Sequence, residues 1–460
     1  MFFSKQTEAK KVYLVGIKGS GMVALAENFL AQGYKVVGSD TKEKFFTDKV
    51  LEKLKIKCYQ GFSEKNLLKE WPVEKIIYST AYNINNNQEL KLAEQKNWPR
   101  FSYPEALGEL TKAYLTLAVC GTHGKTTTSA MLAIALKEAG LDPSAIVGAK
   151  IHQVGSNALI GKGKFLIIEA DEYQNKLSFY HPWGVILTSV DFDHPDFFAN
   201  PKTYQEVFKK FVRRIPAHGF LVAYAGSRRV LEVAQTANCK IIFYSDSSQQ
   251  LEEVLEEFLA RGKKNIESCL WPETTTLSIP GQHNRINATA VLAVAEQLKL
   301  NKQKILNALK NYQGTARRFE KLGKFNGAEI IDDYAHHPEE IKATLRAARE
   351  KYPYKNLICV FHPHTFTRTK ALLEDFSQSF ALADRVIILD IYGSAREKQG
   401  EIHSQDLVKK IQLFHRAVEY IPDIATTLEK IKKELTEKDI LLLLGAGNVN
   451  DLGKKLLNLT

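Results

Sequence analysis

The run Gly121-Thr122-His123-Gly124-Lys125-Thr126-Thr127 directly follows an apolar stretch, residues 114–120. A buried strand that breaks into a glycine-rich turn and reopens as a helix commits this part of the chain to an α/β layer arrangement. The helical pattern at residues 129–138 supplies the element after the turn. The chemistry follows from the parts. Glycines let backbone N–H groups close around phosphate oxygens, and the helix points its positive end at them. Lys125 adds a point charge, and the Thr126 hydroxyl is placed to ligate Mg²⁺. The pattern predicts a bound nucleoside triphosphate, ATP or GTP. It departs from G-x-x-x-x-G-K-[ST] at Val119, where that pattern carries glycine.

At 460 residues the chain has room for two to four domains of roughly 100–200 residues each. Its net charge of +11 invites a nucleic-acid reading. The lysines, however, are spread through amphipathic patterns such as 51–57 and 301–310, and no arginine-rich or aromatic-interleaved tract occurs. No nucleic-acid partner is therefore expected, and a basic surface suits nucleotides and nucleotide-sugars. Five cysteines show neither metal spacing nor even pairing, which points to a reducing cytoplasm. The start Met1-Phe2-Phe3-Ser4-Lys5 runs straight into polar residues, so no signal peptide is expected. No apolar run reaches the ~18 residues of a membrane span, and residues 440–444 read as a buried strand.

Three nucleotide-type units follow one another. The first pairs a strand at 11–16 with the loop Gly16-Ile17-Lys18-Gly19-Ser20-Gly21-Met22, an Ala/Leu helix and a second strand at 35–40 ending in Asp40. This is the βαβ plan of a dinucleotide fold, although the glycines run G-x-x-G-x-G. The second unit opens near Thr111, carries the phosphate loop, and places strands at 165–169, 185–190, 220–224 and 240–244 in a parallel sheet. The third begins at Gly314, with strands at 328–332, 357–361, 386–389 and 440–444 between long helices. The expected fold is α/β in three domains. These are a Rossmann-like N-terminal domain over 1–108, a P-loop parallel-sheet ATPase domain over 109–312 and a Rossmann-like C-terminal domain over 313–460.

Further candidates sit where strands end, which is where open parallel sheets collect function. Glu169-Ala170-Asp171-Glu172 closes one strand, and Asp191-Phe192-Asp193-His194-Pro195-Asp196 follows another. Carboxylates there suit Mg²⁺, which takes few protein ligands and keeps phosphate oxygens. Asn284 and Asn287 lie i, i+3 on one helix face and offer the donor and acceptor that an adenine edge requires. Arg317 and Arg318 open the third unit as candidate phosphate clamps. Asp333-Tyr334-Ala335-His336-His337-Pro338 and His362-Pro363-His364-Thr365-Phe366-Thr367-Arg368 follow strands of that unit and read as substrate and phosphate contacts.

Together, and in this order, these motifs resemble the Mur ligases, ATP-dependent amide-bond-forming enzymes of peptidoglycan synthesis, over nearly the whole chain. The resemblance implies a ligase that joins L-alanine to UDP-N-acetylmuramate through an acyl phosphate. The alternative is attachment of the tripeptide L-alanyl-γ-D-glutamyl-meso-diaminopimelate in cell-wall recycling. It implies that Gly16, Gly19, Ser20, Gly21, Met22 and Asp40 hold the UDP part. Gly121, Thr122, His123, Gly124, Lys125, Thr126, Thr127, Asn284, Asn287, Arg318 and Asp333 would hold ATP. Lys125, Glu169, His194 and Arg318 would be catalytic, with Thr126, Glu169 and His194 around Mg²⁺. Tyr334, His337 and Arg368 would lie near the amino acid, Arg368 pairing its carboxylate. A cytoplasmic monomer or homodimer is implied. The chain departs from the family pattern at Lys18, where a glycine is usual, at Thr365, where an arginine is usual, and at Ser189, where asparagine is common. Residues 191–198 look more like the tripeptide branch.

Overall fold

Three sheets follow one another along the chain, and the computed structural model describes them through residues 10–393, 397 and 399–459. The Met1–Lys5 start lies outside the described residues. The first sheet holds β1 (Lys11–Val15), β2 (Lys35–Asp40), β3 (Lys57–Gln60), β4 (Lys75–Tyr78) and β5 (Arg100–Ser102) in the order β3-β2-β1-β4-β5, all parallel. Val12 to Val15 are fully buried because helices cover both faces of a parallel sheet. Helix Ser20–Ala31 starts within the glycine-rich run, so Ser20, Gly21 and Met22 form its first turn. The helix expected at 51–57 is displaced. Helix Phe46–Lys53 ends first, Lys55 turns into the left-handed region (φ 55°), and β3 begins at Lys57.

Glu70 pins this sheet from the side. Its carboxylate accepts from Lys57 Nζ at 2.8 Å and Tyr59 at 2.7 Å, both on β3, and from Lys11 Nζ on β1 at 3.3 Å. Burial alone would raise its pKa; those hydrogen bonds win and hold it at about 2. A depressed carboxylate contributes stability above its ordinary pKa and loses it as pH falls toward the folded value. The thermal-midpoint advantage of the wild type over Glu70→Gln should therefore shrink as pH drops from about 4.5 toward 2. A difference that stays constant over that range contradicts this account.

The second sheet has eight strands: β6 (Leu115–Cys120), β7 (Ser144–Ile151), β8 (Ser156–Leu159), β9 (Phe165–Glu169), β10 (Gly184–Leu187), β11 (Phe220–Tyr224), β12 (Lys240–Ser245) and β13 (Ile266–Leu270). Their order is β13-β12-β11-β10-β6-β9-β7-β8. The expected parallel sheet needs one correction: β8 returns from β7 as an antiparallel edge strand. That hairpin faces the first unit, where Asn157 Nδ2 donates to Ser20 O at 2.8 Å and Ser156 Oγ to Glu27 at 2.6 Å. β6 lies between β10 and β9, so the C-terminal ends of three strands open side by side. Helices Lys125–Glu138 and Gln282–Gln297 are buried around most of their girth, which explains their Ala- and Thr-rich sequences.

The third sheet holds β14 (Glu320–Phe325), β15 (Ala328–Asp333), β16 (Asn356–Phe361), β17 (Arg385–Ile388), β18 (Val418–Tyr420) and β19 (Asp439–Leu444), ordered β14-β15-β19-β16-β17-β18. All pair in parallel except β14, which joins β15 through a two-residue Asn326-Gly327 turn with both residues at positive φ. The architecture is thus α/β in three domains. The expected 108/109 division falls inside helix Tyr103–Lys112, and the 312/313 division falls just past helix Lys302–Lys310.

Candidate functional site

The phosphate loop leaves β6 at Cys120. Gly121 (φ +135°) has no room for a side chain: a Cβ would come within 2.2 Å of Thr188 Oγ1. Gly124 (φ +77°) caps helix Lys125–Glu138, so the helix begins four residues before the expected 129. The next strand braces the loop. β10 stops at Leu187, and Thr188 and Ser189, expected within the strand, turn to it instead. Thr188 Oγ1 donates to His123 O, and Ser189 Oγ accepts from His123 N at 2.9 Å. Val119, the departure from the usual loop pattern, is fully buried in β6.

Lys125 Nζ donates to Gly121 O (2.6 Å), Thr122 O (3.1 Å) and Glu172 Oε2 (3.0 Å). Burial would lower its pKa, but the charges of Glu172, Asp171 and Glu169 raise it, so the ammonium is firmly protonated. Glu172 is fully buried and also accepts from Tyr204 at 2.9 Å; the same Tyr204 hydroxyl lies 2.9 Å from Thr122 Oγ1. Tyr204 carries no motif, and Glu172 stood out only within a run of acids.

The structure divides the expected metal set. Thr126 Oγ1 donates to Glu169 Oε1 at 2.9 Å, and Gly148 N donates to Glu169 Oε2 at 2.7 Å. His194 instead joins Asp171 and Glu172, their ligand atoms all within 4.8 Å of one another. His194 takes positive φ (56°), which turns the chain back over Glu172. Two hard carboxylate donors beside a phosphate loop fit Mg²⁺.

A cavity of about 220 Å³ opens beside the loop. Its walls include Gly124, Tyr224, Tyr244, Asn284, Asn287, Tyr312, Arg318 and Asp333. This is below the ~300–1,000 Å³ of a drug-sized site, so it takes part of a nucleotide rather than all of it. Both asparagines are buried at the start of helix Gln282–Gln297, as their spacing predicts. Asn284 Nδ2 donates to Pro280 O at 2.6 Å. The hydroxyl of Tyr244 is buried without a hydrogen-bond partner among the described residues. His283, which the sequence reading passed over, lines the same cavity; burial, then the charges of Arg318, Arg346 and Arg285, hold it neutral with a pKa near 4.

The two arginines take different places. Arg317 is structural: it donates to Asp332 (3.1 Å), Gly445 O (2.6 Å) and Ala446 O (3.3 Å). Arg318 faces the cavity, its guanidinium 5.3 Å from the Tyr334 ring, with no side-chain hydrogen bond or ion pair among the described residues. Asp333 accepts from Phe319 N and Ala335 N at 2.8 Å each, and burial raises its pKa.

Of the residues expected near the amino acid, His337 and Arg368 are engaged across the seam between the central and C-terminal domains, while the Tyr334 ring lies against Arg317 and Arg318 of its own domain. Arg368 forms a buried two-pronged pair with Asp193, at 2.8 and 3.3 Å. Its Nη1 also lies 3.2 Å from His364 Nδ1. His337 caps helix Pro338–Lys351: its Nδ1 accepts from Glu339 N, so its Nε2 carries the proton given to Phe192 O at 3.3 Å. Thr365 occupies a left-handed position (φ 68°) at the start of helix Phe366–Ala371.

In the first domain, Gly16 (φ +78°) allows the Tyr82 ring to close over the loop, and a Cβ would meet that ring at 2.6 Å. Lys18, the departure from the usual glycine, is an internal residue. It is buried, with Nζ on Thr41 O, Glu43 O and Asp48, while its N–H donates to Asp40 Oδ2 at 2.6 Å. Asp40 is buried, and desolvation raises its pKa. Gly19 caps helix Ser20–Ala31, and Gly21 packs under Tyr103. The Met22 side chain belongs to the hydrophobic core of this domain, which leaves its backbone for a ligand.

Tyr204→Phe should lower the thermal midpoint, because it strips a hydrogen bond from buried Glu172; the expected loss is about 1–3 kcal/mol. Calorimetry showing an unchanged midpoint contradicts that role.

Three family descriptions match the chain: "Mur ligase family, catalytic domain" over residues 11–115, "Mur ligase middle domain" over 119–295, and "Mur ligase, glutamate ligase domain" over 317–447. A UDP-N-acetylmuramate–L-alanine ligase of Clostridium kluyveri is 38% identical over 455 residues, 98% of each chain. The enzyme of that name from Acetivibrio thermocellus is also 38% identical, over 97% of this chain and 96% of its own. Among solved structures, a UDP-N-acetylmuramate–alanine ligase of Thermotoga maritima aligns with a TM-score of 0.78 at 23% identity, covering 97% and 98%. A murein peptide ligase of Psychrobacter arcticus aligns with a TM-score of 0.71 at 22% identity, covering 98% of each. At these identities the two structures speak to the fold.

Proposed function

The chain belongs to the Mur ligase family, and we infer that it joins L-alanine to UDP-N-acetylmuramate while ATP becomes ADP and phosphate. The observation that carries this reading to the site is one cavity. The phosphate loop, Asn284 and Asn287 face it from the central domain, and Arg318 faces it from the first turn of the C-terminal domain.

In the proposed reaction the muramyl carboxylate attacks the γ-phosphorus, giving an acyl phosphate and ADP. The amine of L-alanine then attacks the activated carbonyl, and phosphate leaves from a tetrahedral intermediate. Free carboxylate is a poor electrophile, so activation must come first. Lys125 and the loop N–H groups hold the phosphates, and Arg318 meets their charge from the opposite wall. Asn284 and Asn287 read the adenine. Thr126 with Glu169, and His194 with Asp171 and Glu172, would hold Mg²⁺, which would neutralise charge on the transferring phosphoryl group. Gly16, Gly19, Ser20, Gly21, the Met22 backbone and Asp40 hold the UDP part. Tyr334, His337 and Arg368 border the amino-acid site, where the incoming carboxylate would take over the Arg368 fork from Asp193. Domain closure shields the acyl phosphate from water. Five free cysteines support a cytoplasmic location, and no helix among the described residues is long and apolar enough to cross a membrane.

Phosphate release with UDP-N-acetylmuramate and, in turn, each of the twenty amino acids and L-alanyl-γ-D-glutamyl-meso-diaminopimelate tests the reading. L-alanine should be preferred; preference for L-alanyl-γ-D-glutamyl-meso-diaminopimelate would move the chain to the recycling branch. Lys125→Ala should lose at least ~10²–10³ in rate and, because it strips the partner from buried Glu172, should also lower the thermal midpoint; near-normal turnover by the folded variant removes Lys125 from the reaction. Arg368→Lys should raise KM for L-alanine far more than KM for ATP, since lysine lacks the planar fork. Equal changes in both constants remove Arg368 from the amino-acid site.

A further inference from the structure

We propose that Glu340 is a positioning residue that couples docking of the C-terminal domain to the shape of the phosphate loop. Glu340 sits in the first turn of helix Pro338–Lys351, where it completes a capping box with His337. Its Oε2 serves its own domain, accepting from His336 N at 3.1 Å and His337 N at 3.4 Å, with His336 Nδ1 at 3.2 Å. Capping requires one oxygen. The other, Oε1, crosses the seam and accepts from Nδ1 of His123, at 3.2 Å, inside the phosphate loop.

The contact is built rather than incidental. The Glu340 side chain is only 12% exposed and that of His123 19%. Asp191 Oδ2 lies 3.6 Å from the other ring nitrogen of His123, and the His337 ring packs against it at 4.6 Å between centroids. His123 also has little freedom to absorb a displacement. Ser189 Oγ holds its N–H, Thr188 Oγ1 holds its carbonyl, and the next residue is Gly124, the left-handed cap of the lysine helix. A pull on the imidazole therefore reaches the backbone N–H groups that surround phosphate. Glu340 also lines the same cavity as Arg318, so one carboxylate touches the loop, the C-terminal domain and the cavity between them.

This inference rests on the reading of residues 121–127 as the ATP loop. A double-mutant cycle on Glu340→Gln and His123→Asn tests it, because glutamine keeps an acceptor for the cap and loses the charge. Each single variant should lower kcat/KM for ATP by about ten- to a hundredfold, the worth of a charged hydrogen bond. The double variant should be no worse than the poorer single one, and the dissociation constant for UDP-N-acetylmuramate alone should stay unchanged. Effects that multiply overturn the coupling, as does a Glu340→Gln enzyme that uses ATP like the wild type. Should Glu340→Gln fail to fold, Glu340→Asp, which keeps the charge but shortens the reach, must show the same loss and the same non-additivity with His123→Asn. If the wild type ligates nothing, the function reading has failed. The coupling is then read from the dissociation constant of a non-hydrolysable ATP analogue in the same four proteins.

Discussion

A lysine ammonium held 3.0 Å from a fully buried glutamate organises the centre of this molecule. Lys125 opens the helix after β6 and Glu172 follows the neighbouring strand β9, and neither charge would be tolerated there alone. Tyr204 and Thr122 extend the pair into a network that also fixes the start of the phosphate loop. Around it, the order β10-β6-β9 brings the loop, the acids at 169–172 and the 188–194 turn to one edge of the sheet. The geometry is a consequence of topology: parallel strands deliver all their C-terminal ends to the same side.

The seam with the C-terminal domain includes several charged and hydrogen-bonded contacts. Arg368 meets Asp193, Glu340 meets His123, and His337 meets the Phe192 carbonyl. Such contacts are directional, and their strength depends on exclusion of water. The seam with the N-terminal domain differs, since helix Ser20–Ala31 packs directly on the β7–β8 hairpin.

Much of the fold was legible because apolar runs ending in glycines or acids mark buried parallel strands: β1, β6, β9 and β19 fall where the runs lie. The α/β class, the three-domain plan and the phosphate loop follow from such local signals. Other features were hidden for physical reasons. Lys55 adopts a left-handed conformation that no spacing rule anticipates, so a helix read at 51–57 becomes a helix end and a strand. The antiparallel return of β8 depends on packing against another domain. Asn326-Gly327 did carry a hairpin signal that the reading missed. In the site, Asn284, Asn287 and Arg318 share a cavity, as their chemistry suggested, whereas Tyr204 and Glu340 act on loop residues 82 and 217 positions away. Such partners have no sequence signature. Lys18 was expected only as a departure from a glycine and Arg368 as the partner of an incoming carboxylate, and the fold gives both of them ion-pair partners within the protein.

The central claim is that this site activates a carboxylate by phosphorylation before the amide bond forms. It is tested most directly by running the reaction with UDP-N-acetylmuramate labelled with ¹⁸O in its lactyl carboxylate, with L-alanine and ATP, and weighing the released phosphate by mass spectrometry. An acyl phosphate transfers one carboxylate oxygen to phosphorus, so each phosphate should carry one labelled oxygen. Unlabelled phosphate, with the product amide formed at the normal rate, would contradict the account.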